Sequence, residues 1–182
     1  MSFFSSLDTA FLHSLFASRA MPTTVFFIGV TELGSVITIG GLTACVALVL
    51  ALRRHFAELV GLLFCMGSSI ILVTALKYLV HRPRPDILFQ AYHGETGYSF
   101  PSAHATLAFA FYGFLIFMFY QSEATVLRKR VMAVAGAIII LAIGLSRLYL
   151  GVHYLSDVIG GYLLGAACLW LAAWTTRMLE NR

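Results

Sequence analysis

Residues 130–157 read RVMAVAGAIIILAIGLSRLYLGVHYLSD. A basic edge leads into an apolar run, and the run ends in Arg147, His153 and Asp157. Crossing ~30 Å of hydrocarbon takes about 20 apolar residues in a helix. The stretch 130–147 therefore reads as a membrane helix that delivers charged and titratable groups to one membrane edge. Four further segments read the same way, roughly 35–52, 57–80, 103–120 and 154–174. A sixth, roughly 21–34, is shorter and carries Glu32 near its end; Gly34-Ser35 separates it from its neighbour. The expectation is an all-α, polytopic membrane helix bundle. Six transmembrane helices would occupy 21–176, within a single membrane-embedded domain over 1–182.

Composition supports this reading. Of 182 residues, 60% are hydrophobic and 11% charged. A soluble domain is closer to one quarter charged. Mean hydropathy is +0.89, and the pI is about 9.2. The positive charges sit at the ends of apolar segments rather than along a polar face, so nucleic-acid binding is not expected. Cys45, Cys65 and Cys168 fall in apolar stretches without metal-ligand or redox spacing, and are expected as buried space-fillers.

In residues 1–18, Phe3, Phe4, Leu7, Phe11, Leu12, Leu15 and Phe16 recur near helical spacing, with Ser5, Ser6, Asp8, Thr9 and His13 between them. This predicts a short amphipathic helix, either lying on the bilayer surface or packed against the bundle. No cleavable signal is evident.

Six crossings would place Arg19, Arg53, Arg54, Arg128, Lys129, Arg130, Arg177 and Arg182 on one side. The positive-inside rule makes that side cytoplasmic, with both termini, in a cell inner (plasma) membrane. Lys77, Arg82, Arg84 and Arg147 then lie on the outer side, as do His104, His153 and Asp157 from separate stretches of sequence. Charged groups at a membrane edge are functional candidates.

Each cluster allows a chemistry and a plainer role. His153 and Asp157 are four apart, so on a helix they share a face. The carboxylate can orient the imidazole as a nucleophile, or simply stabilise a helix start. Ser99-Phe100-Pro101-Ser102-Ala103-His104 is a helix start whose free N–H groups favour an anion. His104 can donate a proton there, or merely sit beside a cap. In Lys77-Tyr78-Leu79-Val80-His81-Arg82-Pro83-Arg84-Pro85 the prolines stop the helix and aim the arginines. Arg84 and Lys77 suit phosphate oxygens, and Arg82 is a support or a second contact. A patch for anionic lipid headgroups is the alternative. His81, His93, His104, His153 and Glu95 fall on the outer side, yet the neighbouring cations disfavour zinc, and no metal is expected. Tyr92, His93, Glu95 and Tyr98 would shape an entrance or be solvated.

Taken together, Lys77 with Arg84-Pro85, Pro101-Ser102-Ala103-His104, and Ser146-Arg147 with His153 and Asp157 resemble the three signatures of the type 2 phosphatidic acid phosphatase and haloperoxidase superfamily, in order and spacing. Ala103 stands where that family usually has glycine. The resemblance implies a phosphatase without metal or other cofactor. His153 would become phosphorylated, Asp157 would orient it, and His104 would protonate the leaving oxygen. Lys77, Arg84, Ser102, the amide of Ala103 and Arg147 would hold the phosphoryl group. It implies a membrane lipid substrate such as undecaprenyl diphosphate, phosphatidylglycerol phosphate, phosphatidic acid or a lipid-linked sugar phosphate. A lipid phosphotransferase uses the same intermediate. A small anion transporter is the reading from another class, and it predicts polar residues running through the bundle. Oligomeric state is left open between monomer and homo-oligomer.

Overall fold

The structure is a computed structural model that describes residues 3–92 and 95–181. His93 and Arg182 lie outside the described residues. Seven α-helices occur among those described, with no strand: α1 (Phe3–Ala17), α2 (Met21–Glu32), α3 (Val36–Leu52), α4 (Phe56–Val80), α5 (Ala103–Gln121), α6 (Val126–Tyr149) and α7 (Leu155–Glu180), with a 3-10 turn at Ile87–Phe89. Local chemistry sets their ends. Ser35, Ser102 and Thr125 cap α3, α5 and α6 by accepting a backbone N–H three residues on. His81 ends α4 in the left-handed region at φ 52°, and Pro83 and Pro85 keep the chain from re-entering a helix.

Five segments are long and apolar enough to cross a membrane: Met21–Leu52, Phe56–Val80, Ala103–Gln121, Val126–Tyr149 and Leu155–Glu180. Bulky apolar side chains such as Ile37, Ile71, Leu163 and Trp170 point outward from them. The expected sixth crossing is not there, because α2 does not traverse alone. Arg19 Nε donates to the carbonyl of Tyr149 at 2.8 Å, and the Ala20 N–H donates to the Tyr149 hydroxyl at 3.0 Å. This puts the start of α2 at the end of α6 that carries Arg147. Its other end stays near that level: Gly34 meets Ile143 and His104, and Thr31 receives Arg147. Only α3 completes the passage.

The expected parity changes accordingly. Arg19 and α1 lie on the face that carries Arg84 and His153, not opposite it. The C-terminal turn of α7 lies at the far end, where Arg177 stacks over Phe117 at 5.5 Å. α1 and the C-terminal turn of α7 thus lie at opposite ends of the bundle. α1 packs against α6 and α7, with Asp8 and Leu12 buried and Leu7, Phe11 and Phe16 exposed. Cys65 and Cys168 are buried as expected, whereas Cys45 is exposed.

Below the charged edge the bundle is closed by Ile39, Leu62, Cys65, Leu107, Phe111, Phe114 and Cys168. The buried hydroxyls there satisfy themselves on their own helices: Ser69 donates to Cys65, Thr106 to Ser102 and Thr176 to Ala172. No polar passage of the kind a transporter needs runs through this region among the described residues.

α5 and α7 approach closely because α7 presents glycines to the α5 backbone. A Cβ on Gly161 would lie 2.7 Å from the carbonyl oxygen of Ser102, and one on Gly165 equally close to that of Thr106. Gly161→Ala should therefore lower stability by about 1–3 kcal/mol. Gly40→Ala, which adds its Cβ to open space, should be neutral or slightly stabilising. Thermal unfolding in detergent measures both; equal effects would show that the α5–α7 contact is not tight.

Candidate active site

Three chain segments meet where α5 and α7 begin and α6 ends. His153 is not on a helix: it sits in the link before α7, and its ring is almost fully buried. The expected shared helix face gives way to a capping geometry. Asp157 occupies the first turn of α7, where its Oδ2 accepts the backbone N–H of Tyr154 at 2.9 Å. The same oxygen lies 3.4 Å from His153 Nδ1. That is long for a hydrogen bond, and no other acceptor among the described residues satisfies Nδ1. Asp157 is fully buried, and its backbone carbonyl accepts the N–H of Ser102, which ties the starts of α5 and α7 together.

The turn into this link depends on Gly151, which has φ +71°. A Cβ there would fall 1.9 Å from the carbonyl oxygen of Phe89, so glycine is needed for both conformation and space. The turn is secured by the Ala91 N–H donating to the carbonyl of Leu150 at 2.9 Å.

Arg84 reaches the imidazole directly. Its Nη1 lies 3.2 Å from His153 Nε2 and 3.0 Å from the carbonyl of Val152. A guanidinium only donates, so Nε2 offers its lone pair and the proton belongs on Nδ1, facing Asp157. Arg84 is further fixed by the carbonyls of Thr96 and Gly97. Arg147, fully buried at the end of α6, donates to Thr31 Oγ1 at 2.8 Å and to Glu95. Glu95 also accepts from Arg84 Nη2 at 3.1 Å. One carboxylate thus bridges the two arginines expected to hold phosphate.

Lys77 donates to the carbonyl of Tyr98 at 2.5 Å and feels the charges of Arg84, Glu95, Arg147 and Asp157. His104, in the first turn of α5, feels Arg147, Glu95, Arg84 and Lys77. Ser102 is buried and caps α5, with its Oγ accepting the Ala105 N–H at 3.5 Å. Ala103 opens α5 and is half-buried.

Arg82 has a different task from Arg84. Its Nη1 donates to Asp157 Oδ1 at 2.5 Å and to Ser156 Oγ at 2.7 Å, while Nη2 donates to Asp8 Oδ2 at 2.6 Å. Its guanidinium also stacks over the Tyr154 ring at 4.3 Å. Arg82 supports Asp157 and does not face the space beside Nε2. The sequence pattern does not single out Asp8, Thr31 or Ser156 as site residues, and it leaves Glu95 at the entrance or in solvent. The one available signal was the presence of Asp8 and Glu95 as acids in an apolar helix and beside a cation cluster.

The electrostatics follow from burial and neighbours. Burial, then the charges of Arg147, Arg84 and Lys77, hold His153 well below the usual imidazole pKa. Burial pushes Glu95 toward protonation, but Arg147, His104 and Arg84 outweigh it and keep its carboxyl below the usual range. Among the described residues no three His, Cys, Asp or Glu side chains gather as a metal site. Glu95 and His104 stand among cations, a poor setting for a divalent ion.

A neutral His153 has a testable sign. Its depressed pKa means the folded protein does not take up a proton as pH falls through about 6.5, where a free imidazole would. Nitrogen-15 spectra of labelled imidazoles should show His153 neutral through that range, and Arg84→Ala should raise its midpoint. A midpoint at the ordinary value, unmoved by Arg84→Ala, would contradict this electrostatic picture.

Known proteins share both the sequence and the architecture. Residues 58–180 match the model of the PAP2 superfamily. Phosphatidylglycerophosphatase B of Bacillus subtilis is 31% identical over 145 residues, covering 79% of this chain and 70% of that protein. Lipid A 1-phosphatase of Rhizobium johnstonii is 34% identical over 113 residues, covering 58% of this chain and 42% of that protein. The crystal structure of a transmembrane PAP2-type phosphatidylglycerolphosphate phosphatase from Bacillus subtilis superposes with a TM-score of 0.85 at 26% identity, over 94% of this chain and 85% of that one. With the family model matched from Glu58 through Glu180 and these relatives alongside it, the chain belongs to the PAP2 superfamily.

Proposed function

We propose that the protein is an integral-membrane lipid phosphatase that works through a phosphohistidine on His153, without a metal ion. One observation carries this reading. Arg84 and Arg147 close on a single carboxylate, that of Glu95, beside the unprotonated Nε2 of His153. Two guanidinium forks sharing one small oxyanion make a position that a phosphoryl group can fill. Substrate then takes the place of Glu95 between the arginines. Family membership and the lipid phosphatases among the relatives support the same class.

In the first step Nε2 attacks phosphorus and the bond to the leaving oxygen breaks. His104 gives that oxygen a proton. Asp157 stabilises the ring through Nδ1–H as Nε2 acquires its phosphoryl group. In the second step water attacks the phosphohistidine, His104 takes a proton from it, and inorganic phosphate leaves. Arg84, Arg147 and Lys77 neutralise the phosphoryl oxygens throughout, a large part of what phosphoryl transfer requires. Ser102 serves by capping the start of α5, and its backbone N–H, donated to the carbonyl of Asp157, joins α5 to α7. The substrate is an anionic lipid whose tail stays in the bilayer while its phosphate or diphosphate enters at the membrane edge. A glycerophospholipid phosphate is favoured by the phosphatidylglycerophosphatase relatives, and undecaprenyl diphosphate is the second candidate.

Orientation follows from the revised crossings. Arg53, Arg54, Arg128, Lys129, Arg130 and Arg177 lie at the far ends of the spans, and the positive-inside rule supports an orientation with that face in the cytoplasm. The active site and α1 face outward.

Purified protein should release phosphate from lipid phosphates in the presence of a chelator, and His153→Ala should abolish release. Arg84→Ala should lower kcat/KM by roughly 100- to 1000-fold, as for loss of one donor to transition-state charge. Activity retained by His153→Ala would remove it as nucleophile; loss on chelation, restored by added metal, would require a different mechanism. For topology, Thr96→Cys in a variant lacking the exposed Cys45 should react with an impermeant label in intact cells. Labelling only after lysis would reverse the orientation.

A further inference from the structure

We propose that Asp8 is a positioning residue for the Asp157–His153 pair, so that α1 is part of the catalytic scaffold. Asp8 lies far from the three motifs in sequence and is almost fully buried in a helix whose exposed side chains include Leu7 and Phe11. Its Oδ1 accepts the backbone N–H of Ser156 at 2.9 Å, and its Oδ2 accepts Ser156 Oγ at 2.6 Å. It therefore satisfies a free donor in the first turn of α7, the turn that holds Asp157. The same Oδ2 receives Arg82 Nη2, while Arg82 Nη1 holds Asp157 Oδ1. Asp8, Ser156 and Arg82 form one closed ring of hydrogen bonds, and Asp157 is joined to it through Arg82 Nη1. Asp157 Oδ2 is left to Tyr154 and His153.

Charge explains why a second carboxylate matters. Burial opposes the charge on Arg82, but Asp8 and Asp157 outweigh it and the guanidinium is held all the more firmly protonated. Were Asp157 its only partner, Arg82 would cancel the carboxylate that must face a ring becoming positive on phosphorylation. Sharing Arg82 with Asp8 leaves negative charge on Asp157 for His153. α1 also walls off the back of the nucleophile: Asp8, Phe11, Leu12 and Leu15 line the same closed crevice as His153 and Tyr154. This role rests on His153 as the nucleophile proposed above.

The test is a kinetic cycle on detergent-purified full-length protein with a lipid phosphate. Asp8→Asn should lower kcat by about 10- to 100-fold with KM little changed, the size of one charge-assisted hydrogen bond converted to rate. Adding Asp8→Asn to Arg82→Gln should cost nothing more, because Asp8 acts through Arg82. Phe16→Ala, which removes the ring that packs α1 on Phe89 and Arg19 and lies outside that crevice, should lower the thermal midpoint and spare kcat. If Asp8→Asn does not fold, Arg82→Lys substitutes for it: a lysine cannot span both carboxylates and should give the same loss of kcat. Wild-type kcat in Asp8→Asn, losses that simply multiply in the double variant, or an equal loss in Phe16→Ala would each overturn the role of Asp8. The two readings fail separately. An active His153→Ala removes the nucleophile, whereas an inert His153→Ala beside a fully active Asp8→Asn removes only the role of Asp8.

Discussion

The contact between Arg84 and the unprotonated Nε2 of His153, 3.2 Å apart, is the constraint around which the molecule is arranged. A buried guanidinium repels an imidazolium, so the ring is kept neutral and its lone pair faces the arginines. Burying guanidinium groups at the edge of a bilayer is costly, since each ion loses water. The structure offsets that cost with paired acids: Glu95 spans Arg84 and Arg147, while Asp157 and Asp8 share Arg82. The cations thus fall into two groups. One group faces the reacting position and is free to exchange a carboxylate for a phosphate; the other supports Asp157 from behind.

The helices below serve to fix that edge. The starts of α5 and α7 are joined by a backbone hydrogen bond from Ser102 to Asp157, and glycines let α7 reach the α5 backbone. The apolar core beneath contains no route for an ion among the described residues, so chemistry is confined to the surface layer where a lipid headgroup lies. Such a division suits an enzyme whose substrate is half in hydrocarbon and half in water.

Much of this was readable from the chain. The grouping of Lys77, Arg84, His104, Arg147, His153 and Asp157 follows from alternating crossings, and those residues do converge. The count of crossings was not readable, because hydropathy measures how apolar 21–34 is but not its direction. The contacts of Arg19 and Ala20 with Tyr149 carry that information, and they join residues about 130 apart. Arg19 therefore misled the charge count. Asp8 looked like part of a polar stripe, although its partners are a guanidinium from the loop after α4 and the first turn of α7. Glu95 was visible as an outer-loop acid, but its position between two arginines depends on how that loop folds back.

The most direct measurement is a structure of the protein with orthovanadate, a tetrahedral oxyanion that histidine nucleophiles can bond. The account predicts vanadium bonded to His153 Nε2, its oxygens held by Arg84 and Arg147, and the Glu95 carboxylate displaced from between them. Vanadate bound to another side chain, or Glu95 still bridging the two arginines with the anion elsewhere, would contradict it.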